Sequence, residues 1–345
     1  MKRLTMNSLH TTMKLSKRLA GLFLMGAIFG ASPYGQAQTP ASPDKMVVAG
    51  WSKPITEITN LLVEEDKGFF KARGIALGYV PGAGGGDALR NLLSGQADVA
   101  FTDPGSFFAA LDKGEKLRAI YDIYPQNVFN IVSLKSANIN KPSDLKGKRI
   151  GVYSLASGTR QNLQVLLNQA GLSESDVTIV VTGLLNFTPL IQGQVDATAA
   201  TDTGLLVGKQ RGLGEVSVME VKNYLNISSD FFVVREDSYQ KKKEVLKRFL
   251  LAYRDSAEWM IASPEEAARL AVKHAIDGQN PAINLEVIKL RNQSSVSTLT
   301  QKNGLGSFDM ASFQKGAQAY KAFGLIQRDI KVADVVSQDL LPGRK

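Results

Sequence analysis

The sequence predicts an α/β protein made of two successive units, each a mainly parallel sheet flanked by helices. Three observations carry this. Short β-branched runs alternate with runs at helical spacing from residue 46 to 124, the order that βαβ units produce. The alternation restarts and runs from 148 to 202. One phrase is also written twice: "GQADVAFTD" from Gly95 to Asp103, and "GQVDATAATD" from Gly193 to Asp202. Each copy has a helix-ending Gly, a Gln-x-Asp lead, a short strand and a closing Thr-Asp. Thr follows Gly by seven residues in the first copy and eight in the second, so the copies are not strictly equivalent.

The elements follow in order. "KMVVAGW" is a strand ending at a glycine. "ITNLLVEEDKGFF" puts Ile58, Leu61, Leu62 and Phe69 on one side and reads as a helix stopped by "ARG". "IALGYVPG" is a strand, and "GDALRNLLSGQ" a helix with Asp87 as N-cap. "ADVAFT" is a strand, "SFFAALDKG" a helix capped by Ser106, and "LRAIYDIY" a strand. In the second unit "RIGVYS", "VTIVVTG" and "VDATAAT" are strands. Between the first two lies the helix "SGTRQNLQVLLNQAG", capped by Ser157 or Thr159 and closed by Gly171. "FTPLIQGQ" is a turn or two of helix, and "SSDFFVVRED" a further strand. From Ser238 the chain is mostly helical. "KEVLKRFLLAYRDSAEWMI" ends before Pro264, "SPEEAARLAVKHA" starts with Ser263 as cap, and "DMASFQKGAQAYKAFG" puts Phe313, Ala317 and Tyr320 on an apolar face.

Composition bounds the function. The chain has 345 residues and a formal charge of +9. Lys2, Arg3, Lys14, Lys17 and Arg18 fall within residues 1–37, which hold no acid; without them 36 bases face 32 acids. The basic balance therefore does not point to nucleic acid. The same N-terminus predicts a secretory signal peptide: "KLSKR", an apolar stretch of 13 residues at 19–31, and "GQA" before a cleavage site after Ala37. Met6 or Met13 are alternative starts, and an N-terminal membrane anchor is the other reading of the stretch. There is no cysteine, which excludes disulfides, thiolate catalysis, Cys-based metal sites and a lipid-modified cysteine after the signal. The mature chain, from Gln38, is expected to be soluble and periplasmic.

Enzyme signatures are absent. His10 lies in the expected leader and His274 in a helical stretch. "SDLK" (Ser143–Lys146) lacks the companion motifs of a Ser-x-x-Lys hydrolase, and no Gly-x-Ser-x-Gly or His-Glu-x-x-His occurs. No metal or cofactor is expected. Ligands of open α/β sheets lie outside the carboxyl ends of the strands, and both Thr-Asp pairs fall where a strand should end. Thr102-Asp103 and Thr201-Asp202 would thus face one crevice; the plainer alternative is that each Asp caps the next helix. Trp51 and Ser52 follow the first strand, "GAGGGD" (Gly82–Asp87) and "SLASGT" (Ser154–Thr159) open helices, and Tyr124 ends a strand. Helix N-termini suit an anion, whereas Asp103 and Asp202 would repel one and suit a ligand with a donor edge.

These segments together resemble a known family. "GFFKARGIALGYVPGAGGGDALRNLLSGQADVAFTDPGSFFAALDKGEKLRAIY", "PSDLKGKRIGVYS", "GQVDA" and "YKAFGLI" are similar to substrate-binding proteins of ABC importers. The group is the nitrate/sulfonate/taurine type, which includes thiamine-pyrimidine binders; the resemblance spans about residues 46–340. It implies the two-lobed periplasmic-binding-protein fold (type II). Lobe 1 would be 44–130 plus 230–345 and lobe 2 131–229, joined by hinge strands near Phe129–Ser133 and Leu225–Val233. It implies a monomer that closes on a small molecule and delivers it to a permease and ATPase. By position, it places ligand-binding residues at Trp51, Ser52, Gly86, Asp87, Thr102, Asp103, Tyr124, Ser157, Thr159, Asn186 and Asp202. The leading ligand is an alkanesulfonate or related organic anion. The alternatives are an aminopyrimidine or other heteroaromatic stacked on Trp51, or a ligand-sensing module. Two departures matter. "TDTG" (Thr201–Gly204) lacks the family's aromatic residue and proline, and Arg160 is the only arginine expected at the crevice. The pyrimidine-synthesising branch uses Cys- and His-bearing sites, which a chain without Cys and with one His in its mature part does not fit.

Overall fold

The computed structural model describes residues 42–185 and 187–341. The expected leader and its cleavage site lie outside them, as does Asn186. Ten strands form two five-stranded sheets. The first holds β1 (Asp44–Ala49), β2 (Ile75–Val80), β3 (Val99–Thr102), β4 (Leu117–Tyr124) and β10 (Asp230–Arg235). The second holds β5 (Phe129–Leu134), β6 (Arg149–Val152), β7 (Thr178–Val181), β8 (Ala197–Thr201) and β9 (Val216–Glu220). Their orders, β2-β1-β3-β10-β4 and β7-β6-β8-β5-β9, are the same design twice.

Each sheet is mainly parallel but mixed, with four strands running one way and one against them. In the first, β1 pairs in parallel with β2 and β3, while β10 is antiparallel to β3 and β4. In the second, β6 is parallel to β7 and β8, and β5 is antiparallel to β8 and β9. The reason lies in the connectivity. Helical crossovers return the chain parallel within a sheet, but β5 and β10 each enter from the other sheet and run opposite to their neighbours. β10 is buried from Asp230 to Val234: Phe231 and Val233 enter one apolar cluster, Phe232 and Val234 the one on the opposite face. Side chains alternate across a strand, so "FFVV" serves both faces of the first sheet.

The twin phrase is one structural device. Gly95 and Gly193 end their helices at positive φ, +77° and +69°, which favours glycine. The Asp98 carboxylate then accepts from the Val47 N–H at 3.0 Å, and Asp196 from the Arg149 N–H at 2.8 Å. The backbone N–H groups of Asp98 and Asp196 return bonds to the same residues' carbonyls. Each Asp thereby fixes the register of its strand against the neighbouring parallel one. The extra residue in the second copy shifts the ends. Asp103 is the N-cap of the Pro104–Asp112 helix and accepts from the Ser106 N–H at 2.9 Å, a role the sequence assigns to Ser106. In the second copy Thr201 is the cap, accepting from the Gly204 N–H, and Asp202 is the first helical residue.

Other boundaries differ from the sequence expectation for local reasons. Asp87 lies in the first turn of the Gly85–Leu93 helix, whose N-cap is Gly84. The segment after β1 is broken into the turns Thr56–Ile58, Thr59–Leu62, Glu64–Lys67 and Lys71–Arg73. Gly68, at φ +66°, stops a continuous helix there. Pro125–Val128 and 221–229 carry the chain between sheets, side by side. Asn127 Nδ2 donates to the Leu225 carbonyl at 3.1 Å, and the Val128 N–H to Ser229 Oγ at 2.9 Å. The C-terminal helices Lys243–Ala262, Pro264–His274 and Pro281–Ser294 pack against one another and on the Thr59–Leu62 turn or its neighbour Thr56–Ile58. No helix among the described residues is long and apolar enough to cross a membrane.

The register device makes a prediction. Asp98→Ala and Asp196→Ala each remove the carboxylate acceptor of a strand N–H, that of Val47 in β1 and of Arg149 in β6, and each should lower the unfolding free energy by about 1–2 kcal/mol. Urea titrations read this as a lower midpoint; an unchanged midpoint in both variants would mean that the repeated Asp does not hold the strands.

Candidate functional site

A cavity of about 350 Å³ lies between the sheets, within the range of clefts that bury small ligands. The carboxyl ends of β1, β3, β6 and β8 open toward it. Gly84 and Gly85 line it from the first lobe, and Ser157, Gly158 and Thr159 from the second. The lobes touch here. The Gly86 N–H donates to the Ala156 carbonyl at 3.0 Å, and Ser154 Oγ donates to the Ala83 carbonyl. Gly84 has φ +121°, and a side chain there would overlap the Ala156 carbonyl and reach 2.8 Å from the Ser157 Cα. Only glycine permits this approach.

The organising group is one the sequence reading missed. Arg291, in the Pro281–Ser294 helix, is 1% exposed and lines the cavity. Its Nη2 donates to Glu57 Oε2 at 3.0 Å, to Asp202 Oδ1 at 3.0 Å and to Thr203 Oγ1 at 2.8 Å. Thr203 in turn donates to Glu57 Oε2 at 2.5 Å. The guanidinium lies over the Tyr124 ring, 4.5 Å from its centroid, a cation–π contact. Glu57 belongs to the first lobe, Asp202 and Thr203 to the second, so one buried arginine joins both. Burial opposes its charge, but Asp202 and Glu57 outweigh that and hold the guanidinium above its ordinary range. Arg291 Nε and Nη1, Glu57 Oε1 and Trp51 Nε1 are buried with no hydrogen-bond partner.

Arg160, the arginine expected here, is bound instead to Glu174 through Nε at 2.7 Å and Nη2 at 2.5 Å. It is absent from the cavity lining.

The expected site residues divide into groups. Trp51, Asp103, Ser157 and Thr159 line the cavity. Trp51 meets Tyr153 of the other lobe edge-on, with centroids 6.4 Å apart. Gly86, Thr102, Tyr124 and Asp202 stand behind the lining: Thr102 Oγ1 donates to the Gly85 carbonyl at 3.0 Å, and Tyr124 and Asp202 hold Arg291. Ser52 and Asp87 make local contacts. Ser52 Oγ donates to the Lys53 carbonyl at 2.8 Å, and Asp87 accepts from the Ala83 N–H and pairs with Arg90. Asn186 lies outside the described residues. Glu57, Thr203, Asp230 and Arg291 line the cavity and were not foreseen. The legible signal was "NPAIN": Asn280 caps the Arg291 helix, accepting from the Ala282 N–H, with Pro281 at its first position.

Carboxyl groups outnumber guanidinium groups in the lining. Among the described residues, Glu57, Asp103, Asp230 and Asp277 line the cavity against Arg211 and Arg291. Burial raises the Asp103 carboxyl above its usual range, opposed by the Ser106 hydrogen bonds. Burial raises Asp230 further, the Asp103 charge adds to it, and Arg291 opposes.

The family model described as NMT1/THI5 like matches residues 55–267. The chain belongs to the NMT1/THI5-like family. A riboflavin-binding protein, RibY, of Chloroflexus aurantiacus is 22% identical over 84% of this chain and 84% of its own length. The 4-amino-5-hydroxymethyl-2-methylpyrimidine phosphate synthase of Schizosaccharomyces pombe is 22% identical over 59% of this chain and 62% of its own. Among solved structures, the alkanesulfonate-binding protein SsuA from Xanthomonas axonopodis pv. citri, bound to MOPS, superposes with a TM-score of 0.67. It is 17% identical and covers 86% of this chain and 99% of its own. That likeness shows the fold: the two-lobed periplasmic-binding-protein architecture.

The raised carboxyls predict a pH dependence. A carboxyl with a raised folded value keeps its proton in the folded protein while the unfolded chain has lost it. Its stabilising contribution is full below about pH 4, the unfolded value, and is lost as pH rises through the folded value. Asp230→Asn keeps the shape and removes this loss. Its urea midpoint at pH 6–8 should equal or exceed that of the unsubstituted protein, with a shallower decline above about pH 4. A lower midpoint throughout that range contradicts the assignment.

Proposed function

We propose that this chain is an exported substrate-binding protein that captures a small heteroaromatic solute for an ABC importer. The ligand's ring edge carries hydrogen-bond donors. One observation carries the choice: the cavity's most buried cation, Arg291, is already engaged by Glu57 and Asp202, and four carboxyl groups share the lining. A simple anion entering this site meets the Glu57 carboxylate beside an arginine whose charge is already met. An amino or imide edge meets acceptors, and its ring meets Trp51, Phe129 and Tyr153. The names of two relatives, one for a flavin and one for an aminopyrimidine product, are in keeping with this chemistry. Capture rather than turnover is supported by the side chains on offer. His274 is bonded to Asp66 and does not line the cavity.

A second reading, an organic anion such as a sulfonate, has its own support. The first turns of the Gly85–Leu93, Gly158–Gln169 and Asp202–Gln210 helices line the cavity, and helix N-termini attract anions.

A thermal-shift panel separates the two. 4-Amino-5-hydroxymethyl-2-methylpyrimidine and riboflavin would be run beside taurine and hexanesulfonate. A ligand at 100 times its Kd stabilises by about 2.7 kcal/mol. We expect a heteroaromatic to raise the melting temperature, and Glu57→Gln to abolish that shift. A shift with the sulfonates alone selects the second reading. Turnover of any panel member overturns both.

A further inference from the structure

Four charged groups of the cavity lining are buried: Arg291, Asp103, Glu57 and Asp230 are 1%, 2%, 4% and 6% exposed. At the open end two large apolar groups, Ile191 and Ile276, are 44% and 48% exposed, beside the exposed polar groups Arg211, Asp277 and Gln279. Buried charge and exposed large apolar side chains in one cavity are both unusual. Both isoleucines line the cavity, one from each side of the cleft, and the buried Phe187 and Val287 continue the apolar wall inward. Ile276 is also fixed in place, since its N–H donates to the Pro54 carbonyl at 2.9 Å. Apolar side chains held at a cavity mouth on two facing elements form a subsite when something apolar lies between them.

We infer that Phe187, Ile191, Ile276 and Val287 form a subsite for an apolar substituent, and that the ligand is amphipathic. Its polar head points inward to Glu57, Asp230 and Arg291, and its hydrocarbon part points toward solvent. This deepens the proposed capture function and rests on it, but it does not depend on the charge of the head. The occupant is the ligand's own substituent, because the exposed isoleucines are continuous with the cavity wall that holds the head.

Calorimetric titration of two homologous series tests this with the full mature chain. The first is ethane-, butane- and hexanesulfonate. The second is 4-amino-2-methylpyrimidine with hydrogen, ethyl or butyl at position 5. Burial of a methylene tightens binding by up to about fourfold. In the series that binds, we expect Kd to fall about two- to fourfold per methylene. Ile191→Ser and Ile276→Ser replace exposed side chains. They should flatten that slope and leave the shortest member's Kd unchanged. A flat profile in the series that binds overturns the subsite; where that series is the pyrimidines, the heteroaromatic reading stays in place. Binding of the sulfonates alone, with a slope, overturns that reading and keeps the subsite. A slope unaffected by both variants, or no binding in either series, overturns the subsite.

Discussion

One buried guanidinium sets the terms for the rest of the molecule. Arg291 has almost no solvent to screen it, so its charge must be met by protein. Glu57, Asp202, Thr203 and the Tyr124 ring do so. Breaking a buried ion pair by removing one partner typically costs about 3–5 kcal/mol, because the remaining charge stays buried and unmet. Glu57 comes from the first lobe and Asp202 from the second, so separating the lobes around the cleft breaks the arginine's contact with Asp202. The fold therefore has an electrostatic reason to hold its two halves together at this point.

The same group shapes the chemistry of the cavity. By engaging Arg291 with two carboxylates, the structure withdraws the charge that would most simply bind an anion. What remains is acceptor capacity on Glu57, two burial-raised carboxyls, an indole N–H without a partner and aromatic faces. Toward solvent, Ile191 and Ile276 add an apolar stretch of wall. A single description, a donor-edged ring with an apolar substituent, fits both ends.

Much of the fold could be read from the sequence, and the reasons are specific. Eight of the ten strands carry β-branched or aromatic runs bounded by turn residues. The twin Gly-Gln-x-Asp phrases mark the same register device in each lobe, and their one-residue offset has a structural meaning. It makes Asp103 a helix cap and frees Asp202 to reach Arg291. β5 was expected only as a hinge strand near Phe129–Ser133 and β9 was not expected, since which sheet a strand joins is decided by chain remote in sequence. The Arg291 helix was missed for a related reason. It buries Asn284, Arg291, Asn292 and Ser294 beside only Val287 and Ile288, so its inward face is largely polar and its periodicity does not stand out. The decisive site residue thus lay in the segment where hydrophobic patterning is least informative, and its acidic partners are remote in sequence.

The central claim is that the Arg291–Asp202 pair holds the lobes around the cavity. The chain has no cysteine, so Lys209→Cys on the second lobe and Arg269→Cys on a first-lobe helix can carry two spin labels without competing sites. The interlabel distance distribution, measured by pulsed electron resonance in the ligand-free protein, reads closure directly. With Arg291 and Asp202 intact, a short-distance population should be present. Adding Asp202→Asn should move that population toward longer distances. Identical distributions with and without Asp202→Asn would contradict the account.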